Sequence, residues 1–321
     1  MRVLVLGGYG AVGGPLVRHL RAAGIESSVA GRDAARADVP LDLADTGALE
    51  AAARAVDVVV NVSGREDADV ARTAVRAGAV FVDITATTAY ARELERIDGP
   101  VLLGVGLAPG LTGLLAAQVA AQVAATGAGP VEILVGIGAG ERHGAAAAEW
   151  TYRLLGERFD DPDGSLVRNF TRQQSISLPR AVSFEYRAFP AVRADFADQH
   201  ALTASLGVPV RTYLRMDSRI ATLGLATLTW VPALRSLAPA RMWGSDRWIA
   251  QARSADGTAQ WATGFGQSEG TAAITAWAVR RLAEHPIERP TWLHDNATLA
   301  ELRSSSAADA IEFGTVDDAT R

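Results

Sequence analysis

The sequence predicts an α/β protein: an N-terminal doubly wound parallel sheet followed by a second, α+β domain. Three observations predict it. Over roughly the first 125 residues, short apolar runs alternate with helix-length segments, the pattern of right-handed crossovers and a parallel sheet covered on both faces. A turn with the spacing G-x-G-x-x-G follows the first apolar run directly,. The pattern then changes at the turn-rich joint Gly127-Ala128-Gly129-Pro130,. The expected divisions are 1–127 for the first domain, 128–265 for the second, and 266–321 for a C-terminal helix and tail.

Taken in order, Val3–Leu6 is an apolar run ending in glycines and reads as a buried parallel strand,. Val12–Ala23 follows as a helix, stopped by Gly24,. Ile25–Ala30 and Val39–Leu43 are the next strands. Thr46–Ala55 is a helix with Thr46 as its expected N-cap,. Asp57–Val62, Val80–Ile84 and Val101–Val105 are strands, separated by helices over Asp67–Ala77 and Ala89–Arg96. Leu111–Ala124 is an Ala/Leu/Val-rich helix. Beyond the joint, Val131–Gly136, Ser183–Phe189 and Val210–Met216 read as strands, and His143–Leu155 as a helix. Arg247–Ser254 and Thr258–Thr263 form a hairpin turning at Asp256-Gly257,. Ser268–Glu284 is a long helix, and the Ser/Ala/Asp-rich tail from Ser304 reads as partly disordered,. The apolar run Ile220–Ala233 is shorter than the roughly 20 residues a membrane span needs. It reads as a buried helix or strand pair, with a pocket wall or dimer face as the sharper alternative.

Composition narrows the chemistry. A net charge of −5 supplies no basic field for nucleic acid or an anionic membrane,. The chain opens Met1-Arg2 and enters a strand at once, with no signal-peptide pattern, so a cytoplasmic location is expected,. No Cys is present, which removes thiol nucleophiles and thiolate metal sites,. All 31 cationic residues other than His are Arg. Without Lys there is no Schiff base and no Tyr-x-x-x-Lys dyad, and Arg stays protonated and cannot serve as a base. Five scattered His give no ligand cluster, so no metal is expected,.

Gly8-Tyr9-Gly10-Ala11-Val12-Gly13 gains meaning from its context, directly after a strand and opening a helix,. That is the dinucleotide fingerprint of a Rossmann domain: one glycine for the turn, one for pyrophosphate approach, one for helix packing, with the helix start holding the anion. An NAD enzyme places Asp or Glu at the end of the second strand for the ribose 2′-hydroxyl. Here the strand ends Val29-Ala30-Gly31-Arg32. A guanidinium can grip a 2′-phosphate bidentately, so NADP(H) is the expected cofactor and Arg32 its reader. Asp33 follows, as an N-cap or as a competing carboxylate. Asp42 reaches the adenine edge or caps its loop. The nicotinamide end is expected over the carboxyl ends of the first, fourth and fifth strands, at Asn61–Gly64, Asp83–Thr85 and Leu107–Gly110,.

Several segments together carry a family likeness. Leu4–Gly10, Ala30-Gly31-Arg32, Asp57–Asn61, Ala77–Asp83 and Ala108-Pro109-Gly110 resemble the saccharopine dehydrogenase-like NADP-binding oxidoreductases. The likeness spans about the first 125 residues and continues faintly through Gly138–Gly144, Glu149-Trp150 and Thr271–Leu282. It implies a Rossmann domain, an α/β substrate and dimerisation domain, C-terminal helices returning to the first, and a homodimer. It implies cofactor and fold, not substrate. Relatives commonly carry Gly-Pro-Phe where this chain has Gly64-Arg65-Glu66.

Hydride transfer needs mainly placement, plus a proton source. His143, opening a helix after a Gly-rich loop, is the candidate acid; Glu149, Tyr90 and Asp83 are further titratable groups, and solvent can supply the proton instead,. Trp150, Pro109 and Gly110 are the expected substrate contacts. All seven Trp lie between Trp150 and Trp292, which suits a bulky, rather apolar small molecule,. The resulting expectation is an NADPH-dependent reductase of a C=N, C=C or C=O bond. A non-catalytic NADP(H)-binding or sensing protein, and a cofactor-bearing scaffold for a redox-neutral step, stay open.

Overall fold

The computed structural model describes residues 1–123, 129–138, 140, 145–177, 188–231 and 244–316. The chain divides into two compact units: Met1–Leu111 with Ser268–Ala308, and Thr112–Gln267 with Asp309–Arg321.

In chain order the elements of the first stretch are β1 (Arg2–Leu6), α1 (Gly13–Ala22), β2 (Glu26–Gly31), β3 (Val39–Pro40), α2 (Thr46–Arg54), β4 (Val58–Asn61), α3 (Ala68–Arg76), β5 (Val80–Asp83), α4 (Thr88–Leu94) and β6 (Val101–Leu103). Then come α5 (Leu111–Val123), β7 (Val131–Ile137), α6 (Ala145–Leu154), β8 (Arg158–Asp160), β9 (Leu166–Arg168), β10 (Gln174–Ser177), β11 (Ala188–Arg193), α7 (Ala197–Leu206), β12 (Val210–Met216) and α8 (Arg219–Leu228). The chain closes with β13 (Arg247–Arg253), β14 (Ala259–Phe265), α9 (Gln267–Arg281), β15 (Thr291–Trp292), α10 (Leu293–Asn296), α11 (Leu299–Arg303) and β16 (Glu312–Val316).

The first unit holds a sheet ordered β15-β6-β5-β4-β1-β2-β3, parallel at every pairing. β1 sits at its centre, Val5 opposite Val29 on one side and Val60 on the other. Val3 to Leu6 and Val58 to Val60 are all buried, as strands covered on both faces must be,. The reversal of strand order beside β1 is the topological switch point, where the carboxyl ends of neighbouring strands diverge and leave a crevice. α9 lies in this unit over most of its length. Its buried Thr275 hydroxyl donates to the Val105 carbonyl at 2.7 Å, satisfying a backbone acceptor just past β6.

The second unit is built on a mixed sheet ordered β10-β11-β12-β7-β13-β14-β16, with β12 and β7 its one parallel pair among the described residues. Leu134, Ile176, Ala191, Tyr213, Ile249 and Trp261 form a core on this sheet. A fully buried ion pair, Arg193 with Asp161 at 2.5 Å, is tied further by Arg211 at 2.8 Å. Removing one partner of such a pair leaves a buried charge uncompensated, a cost of about 3–5 kcal/mol.

Four expectations need revision. Asp45, not Thr46, caps α2: its side chain accepts from the Ala48 N–H. The tail is not free: Glu312–Val316 pairs antiparallel with β14, Val316 opposite Ala259. Gly314 lies where any Cβ would collide with the Trp261 indole, so the tail docks on a ring 53 positions upstream that tail composition does not reveal. The run Ile220–Ala233 is not a buried element where it is described. Its helical part is α8, and Ile220, Leu223 and Trp230 are 84%, 50% and 65% exposed. Finally, α5 clusters with the second unit from Thr112, where the division was expected at residue 127. The Thr112 hydroxyl donates to the buried Asp198 carboxylate at 2.6 Å, a bond that anchors the start of α5 to α7. The strand expected over Ser183–Phe189 lies outside the described residues apart from its last two positions.

Candidate functional site

The carboxyl ends of β1, β2 and β4 open on a groove of about 370 Å³. Its walls are the turn after β1 (Gly7, Tyr9, Gly10), the end of β2 (Ala30, Gly31, Arg32), the segment Leu41–Leu43, and Val62, Ser63 and Arg65 after β4. That volume lies in the range of small-molecule and cofactor sites.

The glycine turn is shaped by close approaches. A Cβ on Gly13 would collide with the Gly7 carbonyl, so only glycine lets α1 start against the turn. Gly7 has φ +79°, and a Cβ there would lie 2.6 Å from the Ser63 Cα. Gly8 is buried against Val29 and Val5. Gly10 is exposed and lines the groove. No side chain caps α1, since Val12 stands at its N-cap. The turn therefore leads directly from Gly10, on the groove wall, into the start of a ten-residue helix, whose dipole has its positive end there; the Gly14 N–H is taken by the Gly10 carbonyl at 3.0 Å and Pro15 has none,.

Tyr9 projects across to β2. Its ring fills the space over Gly31, where a Cβ would come within 2.5 Å of it. The Tyr9 hydroxyl accepts from the Asp33 N–H at 3.3 Å. The Arg36 guanidinium lies 4.3 Å from the ring centroid, and its Nη2 donates to the Tyr9 carbonyl at 3.0 Å. Asp33 is engaged in its own turn, accepting from the Ala35 N–H at 3.0 Å. The end of β2 thus offers two exposed cations, Arg32 and Arg36, and its nearest carboxylate caps a turn. Asp42 lines the groove and also accepts from the Ala44 N–H at 3.0 Å. Arg36 escaped the sequence reading; its signal is a second Arg four residues past Arg32, within reach of the same strand end.

Beside the groove lies a buried polar network at the ends of β4 and β5. Asp83 is 2% exposed and accepts from Asn61 Nδ2 at 2.8 Å, the Tyr90 hydroxyl at 3.2 Å and the Thr85 N–H at 2.7 Å. Burial pushes its carboxyl up to about 7, against the pull of those three donors. Burial and the neighbouring Asp83 charge push the Tyr90 phenol up as well. Asn61 Oδ1 accepts from the Ser63 hydroxyl at 2.7 Å. Thr85, expected at the cofactor, is 8% exposed, and its hydroxyl donates to Glu66 at 3.1 Å. Gly64 is exposed with φ +77°, at the tip of the turn after β4.

Pro109, Gly110 and Trp150, the other expected contacts described, are not among the walls of this groove. Pro109 and Gly110 are buried within their own turn, where Gly106 donates to the Pro109 carbonyl at 2.9 Å and Gly110 packs on the Gly106 carbonyl. Trp150 belongs to the second unit, its ring 4.8 Å from that of Phe196. His143 lies outside the described residues. Among the described residues no group of three or more His, Asp or Glu is placed to hold a metal ion, and no helix is long and apolar enough to cross a membrane.

The dinucleotide that the fold implies fits this groove on the donor set present. A glycine turn and uncapped helix start can receive a pyrophosphate. Arg32 and Arg36 can receive a further phosphate on the adenosine side.

No family model and no curated protein matches the chain. Solved structures do. Apo saccharopine dehydrogenase (L-Glu forming) from Saccharomyces cerevisiae superposes with a TM-score of 0.63 at 15% identity, covering 98% of this chain and 100% of that one. An oxidoreductase from Thermotoga maritima matches at a TM-score of 0.42 and 10% identity, covering 88% and 87% of the two chains. The chain has a saccharopine dehydrogenase-like fold.

Proposed function

We propose that the protein is an NADPH-dependent oxidoreductase that reduces a C=N, C=C or C=O bond of a small, rather apolar molecule, and that it works as a homodimer. The observation that carries the cofactor reading is the end of β2. Arg32 lines the groove there, Arg36 stands over the groove residue Tyr9, and the carboxylates Asp33 and Asp42 each accept from a backbone N–H of their own turn. A ribose 2′-hydroxyl calls for an acceptor at this point; a 2′-phosphate calls for cations. The saccharopine dehydrogenase-like fold supports redox chemistry over other uses of a dinucleotide.

When bound, the dinucleotide supplies two electrons and one proton to the substrate. The chain's own residues divide the remaining work. Gly10 and the α1 start hold the pyrophosphate, Arg32 and Arg36 the 2′-phosphate, and the Ser63 turn closes the wall toward the nicotinamide. His143 is the proposed donor of the second proton, a role that an imidazole's N–H suits.

A crystal structure of the protein soaked with NADPH tests this reading. The expected result is the 2′-phosphate in hydrogen-bond contact with Arg32 or Arg36 and the pyrophosphate against Gly10–Gly13. A dinucleotide bound elsewhere, or one whose adenosine ribose touches neither arginine, overturns it.

A further inference from the structure

Asn61 ends β4 and Asp83 ends β5, and the two strands pair so that these residues are direct neighbours. An ionised carboxylate only accepts hydrogen bonds. Facing Asp83, the Asn61 side chain must therefore turn its NH₂ inward, where Nδ2 donates to Asp83 Oδ2 at 2.8 Å and to the Arg65 carbonyl at 3.0 Å. That orientation sends Asn61 Oδ1 outward, where it accepts from both the hydroxyl and the N–H of Ser63, at 2.7 and 3.3 Å. The Ser63 hydroxyl oxygen in turn accepts from the Arg65 N–H at 3.1 Å. The Asn61 amide thus makes three of the bonds that hold the turn after β4, and which way it points decides whether they form.

We propose that Asp83 is a positioning residue for the dinucleotide: as a carboxylate it fixes the orientation of Asn61, and through Asn61 the Ser63–Arg65 turn that walls the groove. The inference rests on the cofactor reading above and deepens it. The turn has little slack, because a Cβ on Gly7 would already lie 2.6 Å from the Ser63 Cα. A shift of the turn is therefore felt directly by the glycine turn that receives the pyrophosphate.

Protonation of Asp83 reverses the logic. Its carboxyl then carries a hydrogen among three donors, from Asn61, Tyr90 and Thr85. A flipped Asn61 would accept that hydrogen, but its NH₂ would then face the Ser63 N–H and abandon the Arg65 carbonyl. The other ionisable groups facing Asp83 are Tyr90 from α4 and Glu66 from the turn after β4, and a Glu66 charge opposes that of Asp83. Burial brings the Asp83 carboxyl to about 7, so the exchange falls near neutrality. The ionised form, dominant above that pH, is the one that holds the wall.

The test is NADPH affinity measured calorimetrically from pH 6 to 9 for the wild type, Asp83→Asn and Tyr90→Phe. Wild-type affinity should rise about tenfold across a step centred near pH 7, the scale of a modest coupling between two sites. Asp83→Asn should lack the step and bind about tenfold more weakly at pH 8.5. The 2′-phosphate has its own ionisation near about 6, which all three proteins share and which the comparison removes. Tyr90→Phe, which deletes one donor to the carboxylate, should keep the step and move it to higher pH. That variant decides the matter if Asp83→Asn fails to fold. Wild-type binding with no step, a step that survives Asp83→Asn, or an unmoved step in Tyr90→Phe overturns the inference alone. A wild type that binds no NADPH at any pH overturns the cofactor reading as well.

Discussion

Arg36 is the residue whose role changes most once the chain is folded. It stacks 4.3 Å from the Tyr9 centroid, and Tyr9 bridges from the glycine turn to the end of β2. A cation held over a ring in this way is pre-positioned, so little side-chain entropy is lost when an anion arrives. Arg36→Ala should weaken NADPH binding about tenfold and leave NADH nearly unchanged, by fluorescence titration, since one charge-assisted contact is worth about 1.5–3 kcal/mol before solvent exposure reduces it. Equal losses for both nucleotides would show that Arg36 serves the turn and not the phosphate. That Gly10 and Arg32 stand at the groove was legible in the sequence because their signals are local: a fixed spacing after a strand, and a charge where a carboxylate usually stands. The Asp83–Asn61–Ser63 chain was not, because β4–β5 pairing brings residues 61 and 83 together and no spacing in the sequence announces it. Pro109 and Gly110 are ambiguous for a related reason. Their small size fits close approach of a ligand and a tight turn alike, and in the fold they pack their turn against Gly106.

At the scale of elements, the sequence is clearest where burial is two-sided. β1, β4 and β5 are nearly continuous apolar runs because both sheet faces are covered, and they fall within a residue or two of their expected bounds,. β8, β9 and β10 are three or four residues long and carry Arg, Asp and Gln, so no periodicity marks them. α7 has its apolar positions spread around the helix and buries the polar Asp198 and Gln199, which defeats an amphipathic reading. β16 is the instructive case. Its residues look like a tail, and it becomes a strand because β14 offers an open edge and the Trp261 ring needs a glycine beneath it. α8 shows the opposite failure: a run apolar enough to be read as buried forms a helix with Ile220 and Leu223 in solvent.

At the scale of the whole molecule, the strand order of the first unit follows from its crossovers, and that order creates the crevice beside β1 in which the groove lies,. The parallel sheet was legible because alternating strands and helices admit few right-handed arrangements. A mixed sheet is likewise what the second domain was expected to form, and it does; the order of its strands was not legible, since they pair across long and irregular connections. The proposed homodimer is checked by light scattering at micromolar concentration, which should give twice the 33.6 kDa chain mass; a monomer mass refutes it. The central claim is that the groove is built for a dinucleotide bearing a 2′-phosphate. The measurement that tests it most directly is calorimetric titration of the wild-type protein with NADPH and with NADH under identical salt and pH. The account predicts NADPH tighter by at least about tenfold, or about 1.4 kcal/mol, and a difference that shrinks in Arg32→Ala and disappears when Arg36 is replaced as well. Equal affinities, or a preference for NADH, would contradict it.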